Sequence, residues 1–333
     1  MGWRGTLRTI GAISRSIERD SRRRQREYAA RQKQIRRLEE LQQAEAKVEE
    51  YNNYVDLITS MHKECSEAID WVKIRDLPEP QEPKRSDRNE SQARKALDRY
   101  RPGFLDRLLR REARKRQALS QAVHDGRLQD DKEYRAIRAE YIDKRKEWKY
   151  MHDVAIGILK GDVSAYLSAV REMDPFEEIS NIGSAVSLSV LTPKTVAVAL
   201  NVNTSKVIPK ESKSLLKSGK LSVKEMPASR YWQLYQDHVC SGVLRVAREV
   251  FALLPVDKVA VDALCKMVNP KTGHLDDTVI LSVLIPRATL AELDMDRLDP
   301  SDSMSNFLFR MKFKKITGFE PVEPIDVSTV AET

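Results

Sequence analysis

The sequence predicts an α+β chain: a long-helix, coiled-coil arm followed by a C-terminal domain in which a roughly five-stranded sheet packs on one long helix. Three observations predict it. Residues 1–160 are dense in charge and repeat their apolar positions at helical spacing. After Asp174-Pro175 the apolar period falls from about 3.6 to about 2. Between the strand-like runs lies Ser229–Leu254, an apolar stretch of helical period and helix length.

Residues 1–20 carry the stripe Trp3, Leu7, Ile10, Ile13 and Ile17, flanked by Arg4, Arg8, Arg15 and Arg19. Such a basic amphipathic helix docks on a protein, lies on an anionic membrane surface through residues 2–17, or serves as a transit peptide. Met1-Gly2 with Thr6 also fits the short myristoylation pattern. Residues 21–37 follow, helix-prone and rich in arginine. From Met1 to Arg37 twelve Lys or Arg stand against three Asp or Glu, a local +9, which leaves −1 for the rest of the +8, 333-residue chain. Nucleic acid, or another polyanion, is the partner expected for Arg15, Arg19, Arg22, Arg23, Arg24, Arg26, Arg31, Lys33, Arg36 and Arg37, with affinity falling steeply as salt rises. Tyr28 is the lone nearby aromatic, so base stacking on single strands is not indicated.

A heptad can be written from Leu41, with Leu41, Val48 and Val55 at one position and Ala44, Tyr51 and Ile58 at the other. The helix is expected to continue to Trp71 and Val72, and Pro78, Pro80 and Pro83 then make 76–90 an extended connector. Between Arg94 and Arg116 ten Lys or Arg meet three acids, which adds Arg107, Arg110, Arg111 and Arg114 to the nucleic-acid candidates. Pro102-Gly103 divides this stretch, beside an apolar face of Phe104, Leu105, Leu108 and Leu109. Gly126 is expected to end a helix. Asp130–Leu159 repeats Tyr134, Tyr141, Trp148 and Ala155 at one heptad position and Ile137, Lys144, Met151 and Ile158 at the other. Helices 35–72 and 130–159 are therefore expected to pair antiparallel, with self-association of the first as the competing arrangement.

The C-terminal strands read as Val186–Val190, Val196–Val202, Leu221–Val223, Val259–Cys265 and Val279–Ile285, with Thr192-Pro193-Lys194 and Asn269–Gly273 as turns. Ser229 is the expected N-cap of the long helix and Pro255 its stop. Asp299-Pro300-Ser301-Asp302 announces another helix, with Met304, Phe307, Leu308 and Met311 as its apolar face. The expected division is a basic helix and coiled coil over 1–75, a linker over 76–90, a helical region over 91–160, an α+β domain over 161–322 and a disordered tail over 323–333.

Chemistry is sparsely signalled. His62-x-x-Cys65 and His238-x-Cys240 lack the spacing of a zinc knuckle, so no metal and no cofactor is expected. A nuclease needs carboxylates on neighbouring strands with a lysine close by. The strands at 185–191 and 196–202 hold no acid, which leaves Lys220 and Asp262 as weak catalytic candidates. Lys217-Ser218-Gly219-Lys220 lacks the Walker spacing and precedes a strand, so it reads as a turn with some capacity for phosphate. Asp237, His238, Arg245, Arg248 and Glu249 interrupt the long apolar helix, either as a structural network or as an acid–base pair at Asp237 and His238. Three cysteines in so long a chain fit a reducing compartment, and the longest uncharged run is too short to span a bilayer. The expectation is a bacterial cytoplasmic binding or scaffold protein whose Arg-rich helices contact nucleic acid and whose coiled coil assembles it. A nuclease-like enzyme and a peripheral membrane protein are the alternatives.

Overall fold

A computed structural model describes residues 3–104, 110–181, 184–202, 207–269 and 271–327, leaving aside the side chains of residues 3–22, Gln25 and Asn181. In chain order its elements are α1 (Trp3–Thr59), a 3-10 turn (Met61–Lys63), α2 (Trp71–Arg75), α3 (Arg88–Arg99), α4 (Glu112–Leu159), α5 (Val163–Met173), α6 (Glu177–Asn181), β1 (Ala185–Thr192), β2 (Thr195–Asn201), β3 (Glu211–Leu215), β4 (Leu221–Glu225), α7 (Ala228–Leu253), β5 (Lys258–Val268), β6 (Leu275–Pro286), α8 (Arg287–Ala291), α9 (Pro300–Ser303), a second 3-10 turn (Met304–Asn306), β7 (Leu308–Lys314) and β8 (Gly318–Glu320). They form two compact units, Met1–Glu67 with Asp174–Thr333, and Ala68–Met173.

The first unit is built on a mixed six-stranded sheet in the order β1-β2-β5-β6-β7-β8. Neighbours are antiparallel except β2 and β5, which run parallel because α7 carries the chain back between them. The α+β class is as the sequence predicts, with one strand more in the main sheet. Leu221–Val223 is not part of that sheet: β4 pairs with β3 as a separate hairpin. The extra strands come from the segment expected to be helical after Asp299. The cap itself forms, with Asp299 Oδ1 accepting the amides of Ser301 at 2.9 Å and Asp302 at 3.0 Å, but α9 lasts one turn. Beyond it the half-buried Phe309, Met311 and Phe313 alternate with exposed Leu308, Arg310, Lys312 and Lys314, a period of two that suits the open edge of β6. The tail does not come loose at 323: Ile325 is buried, and its amide donates to Ser282 Oγ at 3.0 Å, while Arg310 holds the Pro324 carbonyl at 2.9 Å.

Helix α7 is the centre of this unit, with Leu234, Tyr235, Val239, Val243, Leu244, Val246 and Val250 all buried. It starts at Ala228 with Pro227 at the cap position, so Ser229 lies inside the first turn and does not cap it. At the other end Arg287 donates to the carbonyls of Val256 at 2.8 Å, Phe251 at 3.0 Å and Leu254 at 2.5 Å, satisfying acceptors that a helix C-terminus leaves open. Helix α1 stops at Thr59 and not near Val72. Thr59 Oγ1 and Ser60 Oγ turn back onto the carbonyls of Val55 and Asp56, and the next residues are taken up by α7. The stripe at Leu41, Ala44, Val48, Tyr51, Val55 and Ile58 packs inside this unit, against the β3–β4 hairpin and α7, with Ala44 and Ile58 buried.

In the second unit α4 passes unbroken through Gly126, where a stop was expected. A Cβ there would lie 2.8 Å from the Asn89 carbonyl oxygen at the start of α3, so the glycine is a crossing point and not a terminus. One turn on, the buried Asp130 accepts the amides of Asn89 at 3.0 Å and Glu90 at 2.9 Å and the Asn89 side chain at 2.8 Å. Burial alone would raise its pKa, but these donors together hold it below the usual carboxylate range. The 71–99 segment of this unit packs along α4, leaving Tyr134, Tyr141 and Trp148 of the seam half-buried and Ile137 exposed. Trp148 donates to the Leu77 carbonyl at 3.0 Å, Arg145 pairs with Glu79 at 2.6 Å, and Arg85 pairs with Asp131 at 2.8 Å. The Pro-rich connector is thus a docked strap on α4, in the place expected for helix 35–72.

Gly126→Ala sets two effects against each other. Alanine gains about 1 kcal/mol of helix propensity, whereas a methyl pressed on a backbone carbonyl costs about 1–3 kcal/mol. The clash is the larger, so the variant is expected to unfold at lower urea concentration. A rise in the midpoint would show that α3 can back away freely.

Candidate functional site

The polar residues of α7 are the first candidates, and most of them bind the end of α1. Ser241 Oγ accepts the His62 amide at 3.0 Å and lies 2.9 Å from His62 Nδ1. Arg248 Nη1 donates to the carbonyls of His62, Lys63 and Glu64. Glu249 Oε1 accepts the Ser66 amide at 3.0 Å and lies 2.8 Å from Arg245 Nε, and Arg245 Nη2 donates to Glu178 at 2.7 Å. His238 Nδ1 lies 2.8 Å from the Ile58 carbonyl. A carbonyl can only accept, so this ring carries its proton on Nδ1. Burial holds the pKa of His238 below the ordinary value, so it is neutral at pH 7. The Ser241–His62 pair has the composition of a nucleophile and its base, but Ser241 is 0% exposed, so its oxygen meets no substrate.

Asp237 stands apart from that network. It borders an open polar cleft of about 570 Å³, lined also by Asp56, His62, Arg297 and Asp299. Burial, then the neighbouring Asp299 charge, pushes its carboxyl up to about 6. A folded-state pKa above the unfolded value means that the native state keeps a proton the unfolded chain has lost, so stability falls as pH rises from about 4 to about 6. At one pKa unit per 1.36 kcal/mol the ceiling is about 3 kcal/mol. Asp237→Asn is therefore expected to be more stable than the parent by about 1–2 kcal/mol at pH 8 and similar to it at pH 4, as read by thermal melts. Parallel profiles for the two proteins would refute this account of Asp237.

The remaining catalytic candidates do not converge. Cys265 of β5 lies beside Tyr235 of α7, so by strand alternation Asp262 is on the opposite face of the sheet. There it is hydrogen-bonded to Ser282, near the docked tail, and burial raises its pKa. Lys220 is in the β3–β4 turn, against α1. Among the described residues no group of three or more His, Cys, Asp or Glu could hold a metal ion.

The basic candidates share one helix. Arg15, Arg19 and Arg22 lie on the α1 backbone, but their side chains fall outside the described residues. Arg23, Arg24, Arg26, Arg31, Lys33, Arg36 and Arg37 are all exposed, and Glu27 is the sole acid among residues 23–37. Arg23 pairs with Glu27 at 3.0 Å; among the described residues the other six cations make no ion pair. In the second unit Arg110, Arg111 and Arg114 are exposed around the start of α4, with Arg110 in the left-handed region at φ 51°, and Arg107 lies outside the described residues. The apolar stripe of residues 3–17 lies outside the described side chains as well. No described helix is long and apolar enough to cross a membrane.

No protein family, curated protein or solved structure matches this chain. What distinguishes its charged groups is therefore their physical setting. On α7, His238, Arg245 and Glu249 are buried in a cluster that leaves His238 Nε2 and Glu249 Oε2 without a hydrogen-bond partner among the described residues, whereas the described cations of α1 from Arg23 to Arg37 are exposed and, apart from Arg23, make no ion pair there. Sequence reading found both sets but missed Ser241, Ser66, Glu178 and Asp130. The first three act across long sequence separations that periodicity does not report, whereas Asp130 follows Gly126 by one helical turn, a spacing that could have pointed to it.

Proposed function

We propose that this chain binds nucleic acid through the arginine-rich part of α1, contacting phosphates of a duplex without reading its sequence. The observation that supports this is the run of exposed cations from Arg23 to Arg37, seven against one acid, on a helix with no apolar face of its own along that stretch beyond Tyr28, Ile35 and Leu38, which are themselves exposed. A helix of that kind gains nothing from folding onto its own protein and gains much by releasing the counterions of a polyanion. The absence of an aromatic platform favours duplex over single strands. Because the 41–58 stripe is covered within its own unit, self-association through a coiled coil is not required. A gel shift at about 50 mM salt tests the proposal. The full chain is expected to retard a labelled duplex, and a chain lacking residues 1–37 is expected to leave it unshifted. Retention by the shortened chain would reject the assignment to α1.

A further inference from the structure

We propose that the groove between α1 and the β3–β4 hairpin seats one backbone phosphate of the bound nucleic acid, an inference that rests on the reading above. The hairpin reaches α1 at Gly219. Its φ of +78° is one that side-chain-bearing residues rarely adopt, and a Cβ would stand 2.6 Å from Leu41 Cδ2. The turn closes on itself, Gly219 N donating to Leu216 O at 2.8 Å and Leu216 N to Lys220 O at 2.9 Å. Its backbone is thus satisfied, and the groove is served by side chains.

Those side chains suit a phosphate. The cavity is about 170 Å³ and is bordered by Arg37 and Lys47 from the helix and by Ser218 and Lys220 from the turn. Glu40 is the one acid on its rim, so the lining carries a surplus of two positive charges. Among the described residues none of the three cations makes an ion pair. Arg37 also ends the arginine run, so the groove continues that run along α1 onto the hairpin. A duplex lying on the run would bring a further phosphate to this point. The guanidinium, the two ammonium groups and the Ser218 hydroxyl are all donors, which a phosphate oxygen needs and a neutral ligand does not.

The test is the salt dependence of duplex binding, by fluorescence anisotropy, for the full chain and for Lys47→Gln/Lys220→Gln. Both lysines are exposed, so the melting temperature is expected to stay unchanged and serves as the folding control. Loss of the one phosphate seated in the groove is expected to make the slope of log K against log salt shallower by about 1. Lys312→Gln/Lys315→Gln, outside the groove, is expected to leave the slope as it was. An unchanged slope in the groove variant, or an equal change in the control pair, overturns the groove and leaves the α1 reading standing. No duplex binding by the unmodified chain overturns both. Competition by polyglutamate as strong as by unlabelled duplex would assign the groove to an acidic protein instead.

Discussion

Glu249→Ala is expected to lower the stability of the first unit by about 3–5 kcal/mol, the loss typical of removing one partner from a buried ion pair. Glu249 is 1% exposed and Arg245 7% exposed, so the guanidinium left behind stays in a low-dielectric setting. Its other carboxylates, Glu178 and Glu64, are 71% and 73% exposed and are well screened by water. The Ser66 amide loses its acceptor in the same step, adding about 1 kcal/mol or more. Arg245→Met/Glu249→Leu, which removes both charges and keeps the volume, is expected to come back to within about 1–2 kcal/mol of the parent. Urea denaturation followed by tryptophan fluorescence reads both. A single variant within about 1 kcal/mol of the parent would mean that this cluster does not hold the end of α1 on α7.

Replacing Arg23, Arg24, Arg26, Arg31, Lys33 and Arg36 together by glutamine has the opposite profile. These side chains are exposed, glutamine is a good helix former, and the one ion pair lost, Arg23–Glu27, is a surface pair. The melting temperature is expected to stay within about 2 °C. Duplex affinity at about 100 mM salt is expected to fall at least about 100-fold, because binding of this class comes almost wholly from phosphate neutralisation. A loss of affinity accompanied by unfolding would show that the arginines serve the structure.

The division between these two sets of ions was partly legible in the sequence. Arg23–Arg37 could be identified directly, because an excess of charge needs no tertiary context to be exposed. The two long β-hairpins and α7 were legible through their periods of 2 and 3.6, as was the Asp299 cap. What failed depended on contacts between residues far apart. The helix after Asp299 had a true start signal, yet Phe309, Met311 and Phe313 join the edge of β6. The end of α1 is decided by Ser241 and Arg248, which lie close to 180 residues further on. Gly126 reads as a stop until Asn89 is seen lying against it. On α7, Arg245 and Glu249 are visible as an i,i+4 pair, but their burial and the Ser66 amide that joins them are not.

The most direct measurement of the central claim is the slope of log K against log salt for duplex binding by the unmodified chain and by the six-glutamine variant. The six substituted cations predict a slope shallower by about 5 in the variant than in the parent, with the groove's own contact remaining in both. A parent slope near zero, or two parallel lines, would contradict the assignment of α1 as the surface that meets nucleic acid.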